Sequence, residues 1–138
     1  GRPSGVRIEG NVLWSNVSAI GINGGWNNVV TANIIYGGTG AAFRIDDATG
    51  RDWHPIWARA NQIGNNFVFL DRDKPLVTYF HAPGHGREYV RFANNRYVGH
   101  LNEHSFRFHP PIMLSGESGS LADLQQAGGD LGSVAIRP

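Results

Sequence analysis

Residues 28–46 read NVVTANIIYGGTGAAFRID, where a run of β-branched residues is interrupted by Asn33 and then by a glycine cluster. Residues 8–23, IEGNVLWSNVSAIGIN, follow the same order of residue types, so that Asn11 aligns with Asn33. The other aligned pairs are Ile8 with Val30, Val12 with Ile34, Leu13 with Ile35, Trp14 with Tyr36 and, after one inserted residue, Ile20 with Phe43, Ile22 with Ile45 and Asn23 with Asp46. The chain therefore contains an internal repeat of 22 to 23 residues.

The repeat continues along the chain with longer spacings. Asn66 and Asn95 each precede an aromatic or β-branched run, 33 and 29 residues after the preceding anchor. Loops inserted into a 22-residue unit explain these spacings, one near residues 46–60 and one at 81–88. A second short strand is predicted after each anchor, marked by Ile20 and Ile22, Phe43 and Ile45, Leu76 and Thr78, and Phe106 and Phe108.

Short alternating strands separated by Asn and Gly corners are typical of a β-solenoid, in which each coil bends sharply and stacks on its neighbours. Asparagine tolerates left-handed backbone angles, and its amide can bond to the same group one coil away. We therefore predict a ladder of asparagine side chains formed by Asn11, Asn33, Asn66 and Asn95. The alternative is a β-sandwich in which these are ordinary turn residues.

The last part of the chain has a different pattern. Ser120 is a helix N-cap followed three residues later by Asp123, and Gly128 stops the helix. The segment GSVAIRP then reads as one extended strand. We predict coils over residues 1–114 and a helix-and-strand cap over 115–138, which would cover one open end of the stack.

Composition excludes several classes of partner. Twelve basic and eleven acidic residues leave a net charge of +1 with no basic stripe, so no nucleic-acid partner is expected. No apolar run is long enough to span a membrane, so no membrane partner is expected either. The first coil shows no cap comparable to that at the other end. We expect it to be covered by a preceding β-helix segment or chain, with this chain forming the C-terminal part of a longer solenoid.

Two stretches resemble a known family. The pattern GVRIEGNVLWSN followed by AIGINGGWNNVVTANIIYGG resembles the right-handed parallel β-helix repeats of pectate-lyase-like carbohydrate-active proteins. The tail SLADLQQAGGDLGSVAIRP is similar to the final segment of many bacterial β-helix glycosidases and lyases. The residues that match are Gln126, Gly129, Asp130, Ser133 and Val134, whereas Leu124 lies near the place of an aromatic common in that helix.

The resemblance implies an all-β fold, a right-handed parallel β-helix of about four to five coils with a short C-terminal capping helix. It also implies a secreted, cell-surface or periplasmic protein that acts on a polysaccharide or oligosaccharide. This fold carries lyases, hydrolases, epimerases, esterases and phage spikes, so the reaction stays open. A non-catalytic glycan-binding or structural β-helix is the alternative.

A hydrolase needs two carboxyl groups across the glycosidic bond. Asp46, at the end of a predicted strand, and Asp47 and Asp52 in the following insert are the candidates. Arg44 and His54 are candidate substrate-binding residues beside them. Turn and capping roles are the alternative for these aspartates.

A lyase needs a base and a cation that neutralises a uronate carboxylate. Tyr79, His81 and Arg87 are the candidates, with Lys74 and His85 as substrate-binding residues. The alternative is that these side chains belong to a solvated loop.

Sugar rings stack on exposed aromatic faces, which makes Trp53 and Trp57 in the first insert further candidates for substrate binding. The alternative is that both pack down over the stack. His81 and His85 are four residues apart but lie in a glycine loop, so no metal site is predicted. No cofactor is predicted either.

Overall fold

The computed structural model describes residues 4–14, 17–37, 40–46, 60–70, 75–80, 90–109 and 111–137, without the side chain of Phe80. These residues form short β-strands and one six-residue helix. The predicted inserts lie largely outside this part of the chain. Within the described residues, no helix is long and apolar enough to cross a bilayer.

Twelve of the strands form four successive coils of three strands each. The first coil contains β1 (Arg7–Glu9), β2 (Val12–Trp14) and β3 (Ile20–Asn23). The second contains β4 (Val29–Thr31), β5 (Ile34–Tyr36) and β6 (Phe43–Asp46). The third contains β7 (Asn61–Gly64), β8 (Phe67–Phe69) and β9 (Val77–Phe80), and the fourth β10 (Val90–Ala93), β11 (Arg96–Val98) and β12 (Phe106–His109).

Each coil contributes one strand to each of three sheets. Sheet A has the order β1-β4-β7-β10, sheet B contains β2-β5-β8-β11, and sheet C contains β3-β6-β9-β12. All of these pairings are parallel. Parallel sheets with strands stacked in order confirm the all-β prediction and are consistent with a β-helix-like solenoid.

The register of the first two coils is the one predicted from the repeat. Ile8 pairs with Val30 and Leu13 with Ile35. Ile22 pairs with Ile45 in sheet C. Because side chains alternate along a strand, this register places apolar groups of successive coils on top of one another in the interior.

In the third coil, the prediction that Leu76 and Thr78 mark the strand is wrong by one residue. Val77 and Tyr79 of β9 occupy the inward positions, paired with Phe43 and Ile45 of the coil before. Leu76 is also buried, at the corner that precedes the strand. Because Leu76 and Val77 are adjacent and both apolar, the sequence does not show which of them begins the alternation.

The asparagine ladder forms as predicted. The Oδ1 atom of Asn33 accepts hydrogen bonds from the backbone N–H and the Nδ2 of Asn11, at 3.0 and 3.2 Å. Asn66 accepts the same two bonds from Asn33, and Asn95 from Asn66. At the end of the ladder, the backbone N–H of Asn95 donates to the Oγ of Ser133 at 2.7 Å.

The left-handed backbone angle falls on the residue before each ladder asparagine, and not on the asparagine itself. Gly10, Ala32, Asn65 and Asn94 have φ angles of 67°, 54°, 56° and 56°. This single residue turns the chain from sheet A into sheet B. The next residue is left free to aim its amide along the stack.

A second asparagine ladder stands at the corner between sheets C and A, and the sequence analysis missed it. The backbone N–H of Asn28 donates to the Oδ1 of Asn61 at 3.0 Å, and Val6 donates to Asn28 in the same way at 2.9 Å. Asn27 and Ala60, with φ angles of 56° and 53°, supply the corresponding left-handed turns.

The C-terminal residues close one end of the stack. Helix α1 (Leu121–Gln126) begins at Ser120, which forms a capping box with Asp123, as predicted. Leu121 and Leu124 are buried against the core. Strand β13 (Ser118–Gly119) pairs antiparallel with β12, and β14 (Val134–Ile136) continues sheet B in parallel.

The glutamine that supports this cap is Gln125, although Gln126 carries the family resemblance. The Nε2 of Gln125 donates to the carbonyl oxygens of Asp130 and Ser133, at 3.2 and 2.9 Å. Gln126 is exposed, and no such hydrogen bond of its side chain is seen within residues 111–137.

Candidate functional site

The outer face of sheet C carries the densest group of ionisable side chains on a described sheet face. Alternation along β6 and β12 turns Arg44, Asp46, Arg107 and His109 outward. The register aligns Arg44 with Arg107 through Thr78 of β9, and Asp46 with His109 through β9. One column of this face is therefore polar from Arg44 through Thr78 to Arg107, whereas in the other Phe80 occupies the register position between Asp46 and His109.

The first cluster on this face lies on β6. The Nε of Arg44 is 3.0 Å from the Oδ2 of Asp46, because residues two apart on a strand share one face. The Asp46 side chain is 29% exposed and that of Arg44 is 59% exposed. The carboxylate is thus held in one orientation and stays accessible from outside.

The second cluster joins β12 to the segment before β13. The Nδ1 of His109 is 2.5 Å from the Oε1 of Glu117, and the Oε2 of Glu117 is 3.9 Å from Arg107. The backbone N–H of Phe108 donates to the Glu117 carbonyl at 2.8 Å, which holds the Glu117 backbone against β12. All three side chains are partly exposed.

A carboxylate on Nδ1 favours the imidazole tautomer that is protonated there, which makes Nε2 the nitrogen able to accept a proton. The His109–Glu117 pair has the geometry of a general base held in place by a carboxylate. From the sequence, no functional role is predicted for His109 or Glu117. The turn at Ser115 and Gly116, which reverses the chain onto β12, is the sequence signal that could have joined them.

The two clusters are separated by one strand. Strand β9 lies between β6 and β12, so the rows of Asp46 and His109 are two strand spacings apart, about 10 Å. Thr78 is the half-buried residue between Arg44 and Arg107.

Strand β9 places one predicted site residue in the interior. Tyr79 is 0% exposed, and its ring packs edge-on against Phe108 with ring centres 5.8 Å apart. The reason is the one-residue shift in register described above. A polysaccharide on the outer surface cannot reach this hydroxyl group, which removes Tyr79 from the lyase candidates.

The remaining predicted site residues lie outside the described part of the chain: Asp47, Asp52, Trp53, His54, Trp57, Lys74, His81, His85 and Arg87. Both inserts nevertheless follow directly from sheet C. Strand β6 ends at Asp46 and β9 at Phe80, immediately before residues 47–59 and 81–89. The chain thus leaves the same edge of this sheet twice.

The outer face of sheet B is largely apolar, in contrast to sheet C, although the exposed Arg96 lies over the Phe67 ring there. Trp14, Tyr36 and Phe69 form a ladder of stacked rings, with successive centroids 4.9 Å apart and interplanar angles of 22° and 13°. The Tyr36 ring is covered on both faces by its neighbours. Trp14 is 81% exposed. Within this ladder, only one face of its ring is covered, by Tyr36.

A buried polar cluster joins the cap to the fourth coil. The Tyr97 hydroxyl donates to the Oδ2 of Asp130 at 2.6 Å, and the Ser133 hydroxyl donates to the other carboxylate oxygen. Burial raises the pKa of Asp130, while the hydrogen bonds from Ser133 and Tyr97 oppose that rise. Burial also raises the pKa of Tyr97, with the nearby Asp130 charge adding to the effect. The cluster is inside the cap and has no access to the face of sheet C.

Among the described residues, no group of three His, Cys, Asp or Glu side chains is arranged to hold a metal ion. Comparison of the chain with protein-family models, with curated proteins and with solved structures found no match.

Proposed function

We propose that this chain is part of a carbohydrate-active, right-handed parallel β-helix protein that binds and cleaves a polysaccharide along the outer face of sheet C. The observation that carries the proposal is the alignment of the Arg44–Asp46 and His109–Glu117 clusters on that face. The resemblance of the repeats to pectate-lyase-like proteins supports the handedness and the substrate class. Parallel strand crossovers are right-handed in nearly all proteins, which also supports the handedness.

A polysaccharide suits this surface because both are periodic. The strands repeat about every 4.8 Å along the stack, and a polysaccharide is a chain of repeating sugar units. Arginine, aspartate and histidine side chains hydrogen-bond such groups in fixed directions. A secreted location follows from the same resemblance, since polymeric glycans are met outside the cell.

In a hydrolase, Asp46 and Glu117 would be the two carboxyl groups. Glu117 lies one strand position beyond β12, so its backbone is three strand spacings from that of Asp46, about 14 Å. Its carboxylate reaches back to His109, whose row is two spacings, about 10 Å, from that of Asp46. This is close to the separation of about 6.5–9.5 Å used by inverting enzymes and wider than the roughly 5 Å of retaining ones. Asp47 and Asp52 of the first insert stay candidates for the same role. This form of the proposal predicts inversion at the anomeric carbon.

In a lyase, His109 would accept the proton next to the sugar carboxylate, with Glu117 orienting its ring. Arg107 and Arg44 would neutralise the charge that develops on the substrate. His81 and Arg87 of the second insert stay candidates for the base and the cation. Tyr79 is replaced by His109 in this form of the proposal.

The alternative is a glycan-binding or structural β-helix without catalysis. The same sheet face would then hold a glycan without cleaving it, and the two arginines would be its main contacts. Sugar retention without turnover separates this alternative from both enzymatic forms.

The deciding experiment is a product assay on a panel of neutral and uronate polysaccharides, read by reducing ends and by the absorbance of unsaturated products. Asp46→Asn, His109→Ala and Glu117→Gln are tested beside Glu9→Gln, which breaks the equivalent Arg7–Glu9 pair on sheet A. We expect at least about 100-fold loss in one or more sheet C variants and none in the control. Unsaturated products identify a lyase, and new reducing ends without unsaturated products identify a hydrolase. Equal activity in all variants refutes the site.

A further inference from the structure

Among the described residues, none covers the face of the first coil at the end opposite the cap, and we call this surface the open face. Strands β1, β2 and β3 each stand at the end of their sheet, with a described neighbour on one side only. Ile8 and Leu13 point inward but are only half-buried, whereas the residues that stack on them, Val30 and Ile35, are 2% and 0% exposed. A hollow of about 170 Å³, lined largely by apolar groups, opens here beside Ile22.

The asparagine ladder shows which chemistry would complete this face. The Nδ2 of Asn33 donates to a carbonyl of the coil before it, that of Ile8, and Asn66 and Asn95 repeat this with Val30 and Ile63. Asn11 donates instead to Glu9 of its own coil, at 3.0 Å. By the same pattern, the Oδ1 of Asn11 is aimed to accept an N–H group from a coil on the open side.

The aromatic ladder points in the same direction. Its rings lie at one strand spacing from each other, and Trp14 is the last of them. The face of Trp14 away from Tyr36 is turned toward the open side of the first coil. A large apolar or aromatic side chain one spacing further on would stack there as Tyr36 does on Trp14.

We infer that the open face of the first coil docks a parallel β-coil. That partner carries three short strands in register with β1, β2 and β3, an asparagine above Asn11 and a large apolar residue above Trp14. Three coil-to-coil junctions in this chain already use this chemistry, so the partner needs no other recognition element. The docking surface is distinct from the face of sheet C on which the proposed function rests.

A second copy of this chain fits the surface less well. The described far end of the stack is closed, because α1 covers the core and β13 ends sheet C with an antiparallel pairing. A head-to-tail contact is therefore blocked. In a head-to-head contact, the strands of the two copies would be antiparallel. The Oδ1 acceptor of Asn11 in one copy would then face the same acceptor in the other.

The test inserts a second copy of residues 7–28 between Val6 and Arg7, with a scrambled 22-residue insert as the matched control. Hydrogen exchange of the original β1 to β3 amides is measured by NMR, together with mass by sedimentation. We expect these amides to gain at least about tenfold protection in the repeat insert, with the chain remaining monomeric, and no gain in the scrambled insert.

A repeat insert that gives no added protection, or that abolishes the cooperative unfolding transition, overturns the inference, because an in-register coil must leave the coils beneath it intact. The unmodified chain provides a second, independent test. The inference requires it to be monomeric, with the amides on the open side of the first coil exchanging at least about tenfold faster than those of the second coil. A dimer in which the first coil is protected would assign the face to a second copy instead.

Discussion

Replacing Asn66 by alanine should destabilise the chain far more than the same change at Asn11. The Asn66 side chain is buried and makes four hydrogen bonds, all between 3.0 and 3.1 Å. Its Oδ1 accepts two bonds from Asn33, and its Nδ2 donates to Val30 and Asn95. Because alanine leaves those partners buried, we expect a loss of about 4 kcal/mol, at about 1 kcal/mol for each bond.

Asn11 provides the matched control because it is the same residue at the exposed end of the same ladder. Its side chain donates two hydrogen bonds, to Glu9 and Asn33, and water can replace it there. We expect Asn11→Ala to cost about 1 kcal/mol or less. The free energy of unfolding is measured by urea titration with circular dichroism, which also checks that the slope with urea concentration is unchanged.

Equal losses in the two variants would refute the argument, since the difference rests only on the number of bonds and on burial. A loss below about 1 kcal/mol at Asn66 would also refute it, because it would mean that the neighbouring amides find other partners when the side chain is removed. The second outcome would make the ladder a consequence of the coil geometry and not a source of its stability.

Three further predictions test other parts of the structure. Burial raises the pKa of Asp130 in the folded chain, so the native protein should gain stability relative to Asp130→Asn as the pH falls from neutral through that raised pKa. Thermal unfolding of both proteins at several pH values measures this, and a stability difference that is constant with pH would contradict it. Gly99→Ala should cost at least about 2 kcal/mol, because a Cβ there would lie 2.7 Å from the carbonyl oxygen of Leu70 at a φ of +145°. Gly116→Ala, with open space around it, should cost about 1 kcal/mol in the same urea titration, and equal costs would contradict the steric argument. Tyr79→Phe should leave product formation within about twofold of the native rate, since the hydroxyl group is in the core. A loss comparable with that of removing a catalytic acid or base would return Tyr79 to the candidate site.

The described part of the site was only partly predictable. Arg44 and Asp46 were accessible to sequence reasoning because strict alternation with Phe43 and Ile45 turns them outward whatever the rest of the chain does. Tyr79 was misplaced because Leu76 and Val77 are adjacent and both buried, so either residue could begin the alternation. A one-residue error in register moves every side chain of a strand to the other face.

The sequence by itself determined the repeat, the register between the first two coils, the ladder through Asn11, Asn33, Asn66 and Asn95, and the capped helix at Ser120. Each of these depends on residue types that recur at a fixed spacing or on bonds between residues three apart, so a linear pattern contains them. Only the tertiary structure decided that Glu117 lies against His109 and that Asp130 is buried under Tyr97. Those contacts arise when the chain reverses at residues 115–116 or closes over the last coil, and such long-range pairings leave no period in the sequence.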